Sequence, residues 1–183
     1  SPIHLALLKL LPVNGDGVGT IPVTVYPLVD DGSGVASTGD ITPSGSQTEA
    51  AAYTININNI VSEKFVISTG DTVATIITAM AAAVNATLEI PVLAVDATPG
   101  TSTQLSLTSK WEGTSANDIF VEVVGSTTAG TSFAITQPVG GLVNPDVSDA
   151  ITQVGNVWET MVLNCMDVAD TATLDKFSVF GEG

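Results

Sequence analysis

The chain has 183 residues, enough for one core of ordinary size or for two small units that share an interface. Nineteen acidic residues face four lysines, there is no arginine, and the formal net charge is −15. This balance argues against nucleic acid as a direct partner, because phosphate binding needs clustered basic side chains. A hydrophobic content of 44% nevertheless predicts a folded protein.

The first eleven residues, SPIHLALLKLL, have apolar residues at helical spacing after a Ser-Pro start, which predicts a buried helix. The glycine-rich stretch NGDGVG at residues 14–19 follows that helix and opens a strand. This is the reverse of a dinucleotide-binding loop, so it predicts a tight connection. TIPVTVYPLVD follows as an extended run, and DGSGVASTGDITPSGS predicts a flexible passage.

From about residue 37 to residue 143 the pattern is mostly β. Apolar and polar residues alternate, which predicts sheets with one solvated face. The runs are AAYTININ, IVSEKFVIS, IPVLAVD, TQLSLTS, DIFVEVV and SFAITQP. One helix is predicted at about Thr72 to Asn85, with Thr69 or Asp71 available as its N-cap. We expect it to pack on a sheet.

After residue 143 the pattern becomes α/β again. DVSDAITQVGNVWET predicts a helix that carries Trp158 into a core, MVLNCMD predicts a short buried strand, and DTATLDKFSVF predicts a second capped helix. The fold class is therefore α+β: a split α/β unit formed by residues 1–36 and 144–183, with an inserted, mostly antiparallel, β-sandwich-like domain over residues 37–143 that carries one helix.

No catalytic, cofactor-binding or metal-binding residue is predicted, and the chain is not expected to be an enzyme. The single histidine, His4, lies in the opening helix pattern without a nucleophile elbow to pair with it. The lone Cys165 lies in an apolar run and is expected to be a buried structural thiol. Apolar stretches fall short of the roughly twenty residues that a bilayer span needs, so no membrane anchor is expected.

Four stretches in order carry a family resemblance. They are SPIHLALLKL, FVISTGDTVATIITAMAAAVNATLEIPVLAVD, LTSKWEGTSANDI and VGGLVNPDVSDAITQVGNVWETMVLNCMDVADTATLDKF. Together they resemble the contractile tail sheath proteins of bacteriophages, in the branch that includes Mu-like sheaths; the third is similar to that family's LTAKNKGTxGNDI connection. LNCMDVAD departs from the aromatic PYTD that the family often has there. The resemblance makes LTSKWEGTSANDI a conformational signature between two strands rather than an active-site loop.

The resemblance implies a structural protein that polymerises around a tail tube and contracts to drive the tube through the host envelope. The implied partners are other sheath subunits, the tail tube and the baseplate, without nucleic acid and without a cofactor. The implied location is the virion tail, assembled in the bacterial host cytoplasm. Family members link neighbours through terminal arms that add strands to a sheet. We expect this chain to be a core fragment without those arms, and to be monomeric on its own.

An extracellular β-sandwich module for adhesion or glycan binding is the alternative function. The Thr-, Ser- and Asn-rich strands and the low isoelectric point favour it. It predicts one compact sandwich without α/β elements at the ends. An enzyme would instead need a concave site lined by perturbed ionisable groups.

Overall fold

The computed structural model describes residues 24–155, 162–164, 166 and 169–182. The predictions for the opening helix with His4, for the NGDGVG connection, for Trp158 and for Cys165 lie outside the described residues. Of the extended run predicted at residues 20–30, the described residues 24–30 pair with neither sheet. Pro27 removes one of the backbone amides that a strand ladder would need.

The described residues form eight strands, three helices and one 3₁₀ turn. The strands are β1 (Ala36–Gly45), β2 (Ala51–Ile57), β3 (Ile60–Val61), β4 (Phe65–Ile67), β5 (Val92–Val95), β6 (Leu105–Glu112), β7 (Val121–Gly125) and β8 (Thr131–Val139). The helices are α1 (Val73–Ala86), α2 (Ser148–Val154) and α3 (Thr171–Glu182), and the 3₁₀ turn is Thr114–Asp118.

The strands form two antiparallel sheets. The first sheet has the order β5-β6-β1-β8, and in the second sheet β2 is central, with β3 and β4 on one side and β7 on the other. This arrangement confirms the predicted α+β class with antiparallel sheets. The inner faces of both sheets and one face of α1 share a single core. Its largest fully buried side chains are Ile41, Ile55, Ile57, Ile67, Ile77, Met80, Ile90, Leu105, Leu107, Val84, Val92 and Val121.

The passage predicted to be flexible forms β1, an interior strand of the first sheet. Its inward residues are Ser37, Gly39, Ile41 and Pro43, so it lacks the large β-branched run by which strands are recognised. The small size is required: a Cβ on Gly39 would lie 2.6 Å from the carbonyl oxygen of Thr136 on β8. Close backbone approach therefore explains the composition that suggested a loop.

The predicted helix is confirmed as α1, which packs on strands of both sheets, and its N-cap is Thr72 rather than Thr69 or Asp71. The Thr75 amide donates to Thr72 Oγ1 at 3.2 Å. Asp71 instead accepts a hydrogen bond from the Ser68 amide, which closes the preceding turn.

Both helices predicted near the C-terminal end are present as α2 and α3. The buried strand predicted between them is wrong for its described part, because residues 162–164 are irregular and Val162 and Leu163 are about half exposed. An apolar run becomes a strand only where another strand pairs with it, and neither described sheet extends to these residues.

Candidate functional site

The GTSAND sequence at residues 113–118 lies between β6 and β7 and connects three parts of the fold. Gly113 has φ +108°, a conformation that side chains disfavour, and it leads into the 3₁₀ turn. The hydroxyl of Ser37 on β1 donates to the carbonyl of the fully buried Ala116 at 2.7 Å. Trp111 donates its indole N–H to Ser115 Oγ at 3.1 Å. These bonds fix the turn to the first sheet.

A side-chain amide joins this turn to the segment after β8. Asn117 Oδ1 accepts from the Gly141 amide at 2.7 Å, and Asn117 Nδ2 donates to the Gly141 carbonyl at 3.0 Å. A Cβ on Gly141 would collide with the carbonyl of Gly113, so this approach requires glycine. Next to it, Val35 and Leu142 exchange two backbone hydrogen bonds. These bonds hold the segment before β1 beside the segment after β8.

A second amide joins the turn to α3. Asn144 Oδ1 accepts from the Thr114 amide at 2.7 Å, and Asn144 Nδ2 donates to Thr114 Oγ1 at 2.8 Å and to Asp170 Oδ2 at 2.7 Å. Asp170 is also the N-cap of α3, since it accepts from the Thr173 amide and hydroxyl. We call residues 113–118, Gly141, Asn144 and Asp170 the junction.

The carboxylates of Asp170 and Asp146 connect α2 and α3 to each other and to the 3₁₀ turn. Burial raises the pKa of Asp170, but the hydrogen bonds from Asn144 and Thr173 outweigh it and the net pKa is lowered. Asp146, before α2, contacts the ammonium of Lys176 on α3 at 2.5 Å, and this contact is the main cause of its strongly lowered pKa. Both groups are therefore ionised at neutral pH and link α2 and α3 to each other and to the turn.

The side-chain amides of Asn117 and Asn144 bond to other residues of the junction, whereas Ala116, Ser115 and Asp170 also accept hydrogen bonds from Ser37, Trp111 and Thr173 outside it. Asn117 satisfies the backbone amide of Gly141, which is 24 residues away in the sequence. Sequence reasoning missed Asn144, whose position before Pro145 and Asp146 suggests only a turn. The geometry fixes the orientation of the sheets relative to α2 and α3.

Open grooves lie beside the junction and between the C-terminal helices. One of about 390 Å³ lies between α2 and α3 and is lined by Ser148, Ile151, Thr152, Asp175, Lys176 and Val179. In the described part of the chain, no three His, Cys, Asp or Glu side chains are grouped to hold a metal ion. Among the helices described, none is long and apolar enough to span a bilayer.

Comparison with known proteins agrees with the motifs. No family model matches the chain. It is 29% identical over 164 residues to the Mu-like prophage FluMu tail sheath protein of Haemophilus influenzae (strain ATCC 51907 / DSM 11121 / KW20 / Rd). The match covers 85% of this chain but 31% of that relative, so the chain spans about a third of the relative's length. The resemblance is confirmed at the level of similarity: over most of its length, this chain is similar in sequence to a tail sheath protein of a Mu-like prophage.

Proposed function

We propose that this chain is part of a structural subunit of a contractile phage tail sheath. The supporting observation is the 29% identity to a tail sheath protein, which extends along 85% of the chain. Residues 113–118 belong to the motif that resembles the family's connection. At these residues the sheets, the segment after β8 and α3 are hydrogen-bonded together. The motif thus has a structural role that does not require catalysis.

The proposed mechanism is mechanical. Subunits polymerise around the tail tube, and contraction moves them between two arrangements as rigid bodies, which drives the tube through the host envelope. A subunit that transmits force in this way must not bend at its internal connections. The bidentate amide contacts and the charged contacts of the junction supply such stiffness between the sheets and the helices.

The proposed partners are further sheath subunits, the tail tube and the baseplate, and the proposed location is the virion tail after assembly in the host cytoplasm. The role is structural and not enzymatic. We further propose that residues 37–143 form an inserted domain of the subunit. The paired backbones of Val35 and Leu142 support this boundary, because they bring its two ends together.

Immunogold electron microscopy of intact particles tests the proposal. Antibodies against the 183-residue chain should label the whole tail shaft of extended and contracted particles, and preincubation with the chain should abolish the label. Label restricted to fibres or to the tail tip would favour the adhesion alternative. Particles with tails that remain unlabelled throughout would refute the sheath role.

A further inference from the structure

Val143, in the segment after β8, has a backbone conformation that is unusual for a valine. Its φ is +56°, in the left-handed region. There the Cβ of an L-residue crowds the following carbonyl oxygen, and a β-branched side chain makes the conformation an outlier. Among the described residues, the other non-glycine residues with positive φ are Asn58 and Asn59, and asparagine tolerates this region. Val143 is therefore strained where they are not.

Residues on both sides of Val143 are anchored. On the sheet side, Leu142 exchanges two backbone hydrogen bonds with Val35, at 2.9 and 3.1 Å. On the helix side, the side chain of Asn144 makes three hydrogen bonds, two to Thr114 and one to Asp170. We call these three bonds the latch. Because both neighbours are held, the chain has to turn at Val143 itself, and the strain is imposed from outside the valine.

The strained residue lies in the covalent connection between the sheets and the C-terminal helices. Residues 140–147 join the end of β8 to the start of α2. The segment begins at Gly140, which has φ +85° and open space where a Cβ would lie. A rotation about φ of Val143 changes the direction of the chain beyond it, and therefore the orientation of α2 and α3. Hinges are connections of this kind, in which a few residues absorb a large change in φ and ψ between rigid parts.

We propose that Val143 is a strained hinge between the sheets and the C-terminal helices, and that the latch holds this hinge closed. With the latch intact, α2 and α3 keep the observed orientation and Val143 keeps φ +56°. With the latch broken, Val143 relaxes to a negative φ, and α2 and α3 turn relative to the sheets. While it is closed the connection is stiff, as the proposed function requires. The hinge itself does not depend on the sheath role.

The strain at Val143 and the latch act in opposite directions. Strain at a residue in a sparsely populated region favours the open arrangement by roughly tenfold to a hundredfold. The three bonds of the latch favour the closed arrangement, and one of them is strengthened by the charge of Asp170. The pairing of Val35 with Leu142 is present in both arrangements, because it lies on the sheet side of the hinge. The latch therefore decides which arrangement predominates.

Substitution of Val143 in the 183-residue chain tests the strain. Val143→Gly should slow hydrogen exchange of the Thr114 amide about tenfold and raise the melting temperature by about 2–4 °C, because glycine adopts a positive φ without this strain. Val143→Asn should change both quantities in the same direction by less. Val139→Gly is the matched control. Val139 is exposed to a similar degree but ends β8 in extended backbone, so this substitution should lower the melting temperature.

A double-mutant cycle with Asn144→Ala tests the hinge. Asn144→Ala removes the latch, so Val143 relaxes, and Val143→Gly should then give no gain in melting temperature in that background. Residual dipolar couplings measure the orientation of the helices directly. In the parent, the amides of the sheets and those of α2 and α3 should fit one rigid arrangement. In Asn144→Ala, the same couplings should require a second orientation of the helices.

Three results would overturn the hinge. A Val143→Gly chain that loses stability as Val139→Gly does would show that Val143 is not strained. An equal gain from Val143→Gly with and without the latch would show a fixed strained turn. Couplings in Asn144→Ala that still fit the parent's single arrangement would show that the helices do not turn. None of these results changes the immunogold labelling, so the hinge and the sheath role fail independently.

Discussion

Removing the Asn144 side chain should loosen the junction. The Asn144→Ala substitution deletes the acceptor for the Thr114 amide and the donor to Thr114 Oγ1. It also deletes the donor to Asp170 Oδ2. Asp170, the N-cap of α3, therefore loses the connection to the 3₁₀ turn that runs through Asn144. The sheets keep their own ladders, because Asn144 lies outside every strand.

The expected loss follows from the three hydrogen bonds. Neutral hydrogen bonds contribute about 1 kcal/mol each to the free energy of unfolding, and one to a carboxylate contributes about 2 kcal/mol. The three share one side chain and do not add fully, so we expect about 3 kcal/mol. For a chain of this size the melting temperature should fall by about 6–12 °C.

Thermal and urea unfolding monitored by circular dichroism measure this loss, and hydrogen exchange locates it. The Thr114 amide should exchange faster, while amides between β1 and β6 keep their protection. Gln104→Ala is the matched control, because its amide makes one exposed bond to Asp40 and its removal should cost less than about 0.5 kcal/mol. An Asn144→Ala protein that melts with the parent would show that the junction does not couple the helices to the sheets.

Gly125→Ala should destabilise the chain by about 1–3 kcal/mol in urea unfolding, because the new Cβ would overlap the ring of Tyr53, whereas Gly32→Ala meets nothing and should be neutral. The pKa of Asp170 in the folded chain lies below the ordinary value of 3.8. The stabilisation that ionised Asp170 contributes is therefore fully present at pH values above 3.8 and is lost as the pH falls through the folded-state pKa. Melting temperatures should therefore drop below about pH 4, and less steeply in Asp170→Asn. A fragment of residues 37–143 should give the dispersed NMR spectrum of a folded domain; a collapsed spectrum would contradict the proposed boundary.

The sequence predicts those elements whose signal is local. The α1 helix follows from its apolar stripe, and the alternating runs identify β2 and β5 to β8 within a few residues. β1 is missed because its inward side chains are small for a non-local reason: Gly39 faces the backbone of β8. The break between β3 and β4 is missed as well, and there Ser62 accepts from the Ile55 amide in place of a regular ladder.

The junction is predicted only in part for the same reason. The family resemblance identifies the 113–118 turn as a conformational signature, and the residues inside it are typical of turns. Its partners cannot be read from local pattern, since Asn144 is 30 residues from Thr114 and 26 residues from Asp170. Asparagine before proline suggests a turn, and nothing nearby indicates a long-range contact.

At several boundaries of this fold, uncharged side-chain amides make the hydrogen bonds that end a sheet or join two segments. Asn85 at β5, Gln137 at β7 and Asn117 at Gly141 each satisfy an N–H and a C=O of one residue together. A carboxylate only accepts hydrogen bonds and an ammonium only donates them. Neither group can therefore replace both the N–H donor and the C=O acceptor of a neighbouring strand. In a chain with four lysines and no arginine, amides can end a sheet or join segments without adding to the charge of −15. Among the described residues, the ion pair joins Asp146, before α2, to Lys176 on α3.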